Sequence, residues 1–267
     1  MMRSKTSKII LVIFVGAIVV STPILLMMVP TQSPPTEIRV SLLLNEGVMI
    51  EAKGVRIYID PLYLPSNYSD LPADAVLVTH PHGDHYSRLD VELVSTNDTL
   101  HVFPENMTEP LELFEGYPVN PGDSFLVGDI NITAFHMYMP DYDEMPTFHP
   151  KEANWTSYII EIDGFRIFHA GDSRYMEELG ELTGTIDLAF IPIFNDPGYG
   201  PLNESLLQAV DAINLLQPQS IIPFHFLEVN RQTFLSEYTI LVENPECEVL
   251  DVPYWTTLVY EVNGNET

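Results

Sequence analysis

The chain has 267 residues, enough for one ordinary domain once an N-terminal segment is set aside. Hydrophobic residues make up 46% of it, which excludes an intrinsically disordered polymer, and the single cysteine, Cys247, excludes both an intramolecular disulfide and a thiolate-rich metal site. The formal net charge is −27, from 38 acidic and 11 basic residues, and such a surface repels phosphate backbones and argues against a nucleic-acid partner.

In chain order, the first element is an uncharged run over 9–29, IILVIFVGAIVVSTPILLMMV, preceded by Arg3, Lys5 and Lys8. About 20 apolar residues match the hydrocarbon thickness of a bilayer, so the run is expected to be a transmembrane anchor. The basic flank 1–8 should then be a cytoplasmic tail, with everything after residue 29 outside. A cleaved signal peptide would have a shorter apolar stretch and a small-residue cleavage site, which is not evident here. Asn-X-Ser/Thr triplets begin at Asn67, Asn97, Asn106, Asn131, Asn154, Asn203 and Asn265, half of all the asparagines. Chance would give about two, so the excess favours a glycosylated, extracytoplasmic face.

Residues 30–37 are proline-rich and read as a short stiff linker to a domain over 38–262, with 263–267 as a tail. Alternating strand patterns follow at 39–44, 48–52 and 55–59, with Asn45-Glu46-Gly47 and Lys53-Gly54 as turns between them. A short buried strand at 75–79 leads into a histidine cluster. Hairpins are expected across Gly128-Asp129 and across Asp163-Gly164. Apolar strands at 188–193 and 220–223 flank a helical pattern over 202–216.

The string THPHGDHY, Thr79 to Tyr86, places four metal-capable groups within six residues: His80, His82, Asp84 and His85. On an extended segment His80 and His82 point the same way, and Gly83 lets the chain turn so that Asp84 and His85 face a neighbouring volume. Imidazole nitrogens and carboxylate oxygens suit zinc and similar divalent ions. A lone histidine is usually structural; four such groups packed this closely seldom are.

The HxHxDH string after an apolar strand resembles the signature of the metallo-β-lactamase superfamily. Ile57–Pro61 (IYIDP), Phe168–Asp172 (FHAGD) and Ile222–His225 (IPFH) resemble, in order, its Asp-bearing strand, the hairpin whose Asp bridges two metals, and the late strand carrying a final His. Within the superfamily these forms look most like the metal-dependent hydrolases that include ascorbate-phosphate lactonase-like proteins. The resemblance implies an α+β four-layer αββα sandwich, here behind an N-terminal transmembrane helix. It also implies two divalent ions, zinc first, with manganese or iron as alternatives. His80, His82 and His136 or His149 would hold one ion, Asp84, His85 and His225 the other, and Asp172 would bridge them. His136 is preferred for the contested position because it ends a strand. Asp60 would be a buried carboxylate orienting a ligand.

His169, three residues before Asp172, reads as structural or as a support behind a metal ligand, and His101 as structural. Arg174 lies close enough to Asp172 to hold an anionic group, and the loop 137–150 is the best candidate for a lid. The implied reaction is hydrolysis of a small ester, lactone or phosphodiester by a hydroxide shared between the two ions, with Asp84 as the catalytic carboxylate that orients it or shuttles its proton. A phospholipid-directed phosphodiesterase and a non-catalytic metal-binding surface protein are the competing readings. The expected location is the cell membrane, single-pass, with the domain outside. Nothing in the sequence fixes the oligomeric state.

Overall fold

The computed structural model describes residues 34–140, 147–194 and 202–263. Among the described residues fourteen strands form two seven-stranded sheets. The first holds β1 (Thr36–Leu42), β2 (Val48–Ala52), β3 (Val55–Ile59), β4 (Ala75–Leu77), β5 (Leu100–Pro104), β6 (Tyr117–Val119) and, on its outer edge beside β1, β14 (Thr256–Val262). The second holds β7 (Ser124–Val127), β8 (Ile130–Met137), β9 (Trp155–Ile162), β10 (Phe165–His169), β11 (Leu188–Pro192), β12 (Ser220–Phe224) and β13 (Glu248–Val249).

The sheets share one plan. β1, β2 and β3 are antiparallel and β3 to β6 parallel; β7 to β10 are antiparallel and β10 to β13 parallel. The antiparallel parts come from tight turns such as Asp163-Gly164, where both residues take left-handed φ values of 49° and 86°. Side-chain alternation gives each sheet two apolar faces. Ile38, Val40, Ile50, Ile57 and Leu77 meet Ile132, Ala134, Tyr158, Ile160, Phe190 and Phe224 between the sheets. Outside the first sheet, Tyr58, Val76 and Val78 pack with Val91 and Val94 of α1 (Arg88–Val94). Outside the second, Phe168, Ala189, Ile191 and Ile221 pack with Leu206, Ala209, Val210 and Ile213 of α3, which follows the six-residue α2 (Thr108–Leu113) and spans Leu202–Leu216. These are the four layers of an αββα sandwich.

Most expected elements are present, with bounds differing by a few residues. The strand expected over 39–44 begins earlier, at Thr36, because its outer edge is covered by β14, which pairs with it from Thr36↔Val262 to Leu42↔Thr256. Among the described residues no helix is long and apolar enough to cross a membrane, and the apolar run 9–29 lies outside them. The centre of the loop expected to form a lid, 141–146, also lies outside them.

A candidate metal centre with two clusters

One end of the sandwich receives nearly every chemical group of interest. In an open sheet the carboxyl ends of parallel strands are the usual place for a site. Here β3 ends at Asp60, β4 runs into His80–His85, β10 into Asp172 and β12 into His225. Because β2 runs antiparallel to β3, with Val48 opposite Ile59, the β1–β2 turn lies at the same end. The β8–β9 connection, which carries His149, does so for the same reason: β9 is antiparallel to β10, with Tyr158 opposite His169.

Two groups of side chains converge there. The first is His80, His82, His149 and Asp172; the second is Glu46, His85, Asp172 and His225. His80 Nε2 lies 3.1 Å from His82 Nδ1 and 3.2 Å from His149 Nε2. Asp172 Oδ2 is 2.8 Å from His149 Nε2, and Asp172 Oδ1 is 2.9 Å from His225 Nδ1 and 3.4 Å from His85 Nε2. Asp172 therefore gives one oxygen to each cluster. Gly171 lets it arrive: its φ is +55°, and a Cβ there would come within 3.2 Å of Met137 and Thr79.

Asp60 sets the orientation of a histidine in each cluster. It is fully buried and accepts hydrogen bonds from Thr79 N (2.8 Å), Thr79 Oγ1 (2.6 Å) and His85 Nδ1 (3.0 Å). The Thr79 hydroxyl, having donated to Asp60, accepts from His80 Nδ1 at 3.0 Å. Both His80 and His85 are thus held with Nε2 towards the clusters, the arrangement by which carboxylates orient metal-binding imidazoles. His169 is also buried: Gly171 N donates to its Nδ1 and its Nε2 donates to the Glu46 carbonyl. Its structural reading from the sequence agrees with this. His101, stacked 4.8 Å from Phe114 and bonded to Ser95, is structural too.

The electrostatics differ between the clusters. Burial, then the neighbouring histidines, hold His80 and His82 below the ordinary imidazole pKa, so both are neutral and able to bind a cation. Burial opposes charge on His85 and His225 as well, but the Glu46 and Asp172 carboxylates outweigh it and lift both well above the ordinary value. The neighbouring His225 imidazole, partly offset by burial, keeps the Asp84 carboxyl low. Several buried atoms have no hydrogen-bond partner: both Glu46 carboxylate oxygens, His85 Nε2 and Asp172 Oδ1. Buried polar groups left unsatisfied are costly and need a reason. A divalent cation in the second cluster supplies one; the first cluster fits such an ion by its donors, three imidazoles and the other Asp172 oxygen.

The structure places the sequence candidates unevenly. It brings His80, His82, His85, Asp172 and His225 together, and with them His149 rather than His136. The preference for His136 is corrected by strand alternation. Trp155 packs against His80, His82 and His149 with ring centroids 5.1–5.7 Å apart, and Met137 is its cross-strand partner. That face of the β8–β9 pair meets the clusters, whereas His136, paired with Thr156, belongs to the opposite face. Asp84 stands at the rim: its side chain is 53% exposed and its Oδ2 lies 3.6 Å from His225 Nε2. Glu46, which sequence reasoning left as a turn residue, is fully buried, with Oε1 2.7 Å from His225 Nδ1 and Oε2 2.9 Å from His85 Nδ1.

The clusters open into a pocket of about 280 Å³ lined by His82, Asp84, Phe148, Arg174 and Phe194 among others. Arg174 is buried and donates to Ser205 Oγ and to the Phe194 carbonyl.

The family model described as a beta-lactamase superfamily domain matches residues 56–226. The chain belongs to the beta-lactamase superfamily. It is a metal-dependent hydrolase of that superfamily. A UPF0173 metal-dependent hydrolase of Thermococcus onnurineus is 32% identical over 187 residues, covering 64% of this chain and 77% of the relative. One of Lysinibacillus sphaericus is 28% identical over 224 residues, covering 76% and 92%. Among solved structures, a metallo hydrolase from the archaeon Ignicoccus hospitalis shares the fold, with TM-score 0.67 and 20% identity over 85% of this chain and 99% of its own.

Proposed function

We propose that this superfamily member hydrolyses a small ester, lactone or phosphodiester with two divalent cations. His80, His82, His149 and Asp172 hold one ion, and His85, His225 and Asp172, with Asp84 at the rim, hold the other. The observation that carries this is Asp172, whose two buried oxygens face two separate imidazole clusters. Bound there, the ions would acidify a water and polarise the scissile oxygen. The rest of the work falls to the chain. Asp60 and Thr79 fix which nitrogen of His85 and His80 faces the site. Asp84, a solvent-reaching carboxylate of the pocket wall, would take the proton of an attacking water. Arg174 provides a positive wall to the pocket. A volume of about 280 Å³ admits a small molecule and supports neither a polymer nor a folded partner. The strongly acidic chain supports the same exclusion of nucleic acid.

We further read the run 9–29 as a membrane anchor that leaves the domain outside. Asn67, Asn97, Asn106, Asn154 and Asn203 are exposed, which supports the sequons as carriers of glycan.

Asp172→Ala should lose both ions, measured as metal per chain by elemental mass spectrometry, and all turnover on a panel of chromogenic phosphodiesters and lactones. A variant that keeps two ions and full activity refutes the assignment.

A further inference from the structure

Glu46 belongs to no recognised motif, yet it is a fully buried carboxylate beside the second cluster. We propose that Glu46 is a protein ligand of the second cation and biases that site towards harder ions than the first. This rests on the two-cation reading above.

Three observations carry it. First, the side chain has no solvent exposure, and neither carboxylate oxygen has a hydrogen-bond partner. A carboxylate in that state is stable only against positive charge. Second, a role limited to orienting imidazoles does not account for the geometry. His85 Nδ1–H is already committed to Asp60 Oδ2, and the approaches of Glu46 to His85 and His225, at 2.9 and 2.7 Å, are close but off the line a hydrogen bond requires. Third, the turn is fastened to the site beyond what a hairpin needs. His225 N donates to the Asn45 carbonyl at 3.2 Å, Asn45 Nδ2 donates to the Asp84 carbonyl at 2.8 Å, and His169 Nε2 donates to the Glu46 carbonyl at 2.8 Å. A Cβ on Gly47 would stand 3.0–3.2 Å from Leu43, Leu44 and Asp60, so glycine there keeps the turn pressed against the Asp60 strand end.

The donor sets then differ in kind. The first cluster offers three imidazoles and one carboxylate; the second offers two imidazoles and two carboxylates, with Asp84 beside it. More oxygen donors favour manganese relative to zinc. Zinc binds mixed nitrogen and oxygen sites more tightly than manganese, so the second site should be the one that yields to manganese first as its excess rises.

The test is competitive loading. The full-length, metal-free chain is dialysed against a fixed concentration of Zn²⁺ with Mn²⁺ in rising excess, and the bound metals are counted by elemental mass spectrometry. The wild type should exchange one of its two zinc ions for manganese at a lower excess than the other, and exchange of both at the same excess would overturn the proposal. Glu46→Gln, nearly isosteric, should keep one zinc and lose manganese affinity by about tenfold or more, while Glu46→Asp, which retains a shortened carboxylate, should fall between. Circular dichroism checks that each variant is folded; should Glu46→Gln unfold, Glu46→Asp carries the comparison. Wild-type affinity and zinc-to-manganese ratio in the variant would overturn the proposal and leave the two-cation reading standing. Fewer than two ions in the wild type would overturn that reading itself.

Discussion

His136 stands near the end of β8 and His149 in the connection that follows, yet only His149 joins a cluster. His149 Nε2 sits between Asp172 and His80, whereas His136 is on the far face of its strand, its ring 5.7 Å from Phe135. His149→Ala should therefore lower the affinity of the first site by at least about tenfold. His136→Ala should leave metal content and turnover unchanged. Metal titration of the two purified variants side by side decides the matter, and the reverse pattern would restore His136. The motif histidines and Asp172 were legible from the sequence because adjacent ligands and a strand-turn-Asp element leave a local signature. The choice between His136 and His149 was not: it depends on which strand face meets the site, and a one-residue change of parity reverses the answer. Glu46 was illegible for another reason. Asn-Glu-Gly between two strands is ordinary turn chemistry, and only the antiparallel return of β2 beside β3 brings that turn to the metal end.

At the scale of elements, the segment that delivers His149 is tied down by its neighbours. Lys151, two residues on, pairs with Glu178 in the helical turn Glu177–Leu182 and lies over the Tyr138 ring; Tyr138 Oη donates to Glu178 at 2.6 Å. The three groups join the end of β8, the His149 segment and the chain just past Asp172. Burial alone would raise the Glu178 carboxyl, but the bonds from Lys151 and Tyr138 outweigh it and bring it from 4.5 down to about 2. A carboxyl depressed in the folded state stabilises it above its unfolded value and loses that contribution as pH falls through the folded one. The wild-type stability advantage over Glu178→Gln, followed by urea midpoints, should be full above pH 4.5 and shrink towards pH 2. A difference that stays constant across that window would show that the carboxylate charge contributes nothing. The elements themselves were mostly readable, since period-two alternation and Asp-Gly turns are local. β14 was not: its alternation is only half-buried, and its place beside β1 is fixed by a pairing across nearly the whole domain.

At the scale of the molecule, the run 9–29 and the sequons make one claim about place. Expressed in a host that inserts and glycosylates membrane proteins, the full chain should stay with the membrane pellet through high-salt and alkaline washes. It should also migrate faster after glycan removal, and a chain lacking 9–29 should leave the pellet. Full-length chain recovered in the wash would defeat the anchor reading. The four-layer architecture followed from recognising the motif order rather than from summing the elements. The matching plan of the two sheets carried no repeated motif, because it lies in the order and direction of the strands rather than in their residues.

The sharing of Asp172 bears on how the protein matures. The first cluster draws its members from His80 to Asp172, so it is written into the chain before β11 is made. The second begins at Glu46 but waits for His225, near the end of the domain. A ribosome therefore releases the four donors of one site well before it releases the last donor of the other. The His225 backbone N–H, bound to Asn45, is also what fastens the β1–β2 turn to β12. Arrival of that one residue completes the second donor set and ties the β1–β2 turn to β12, so the second cluster cannot form until the chain has been made through residue 225.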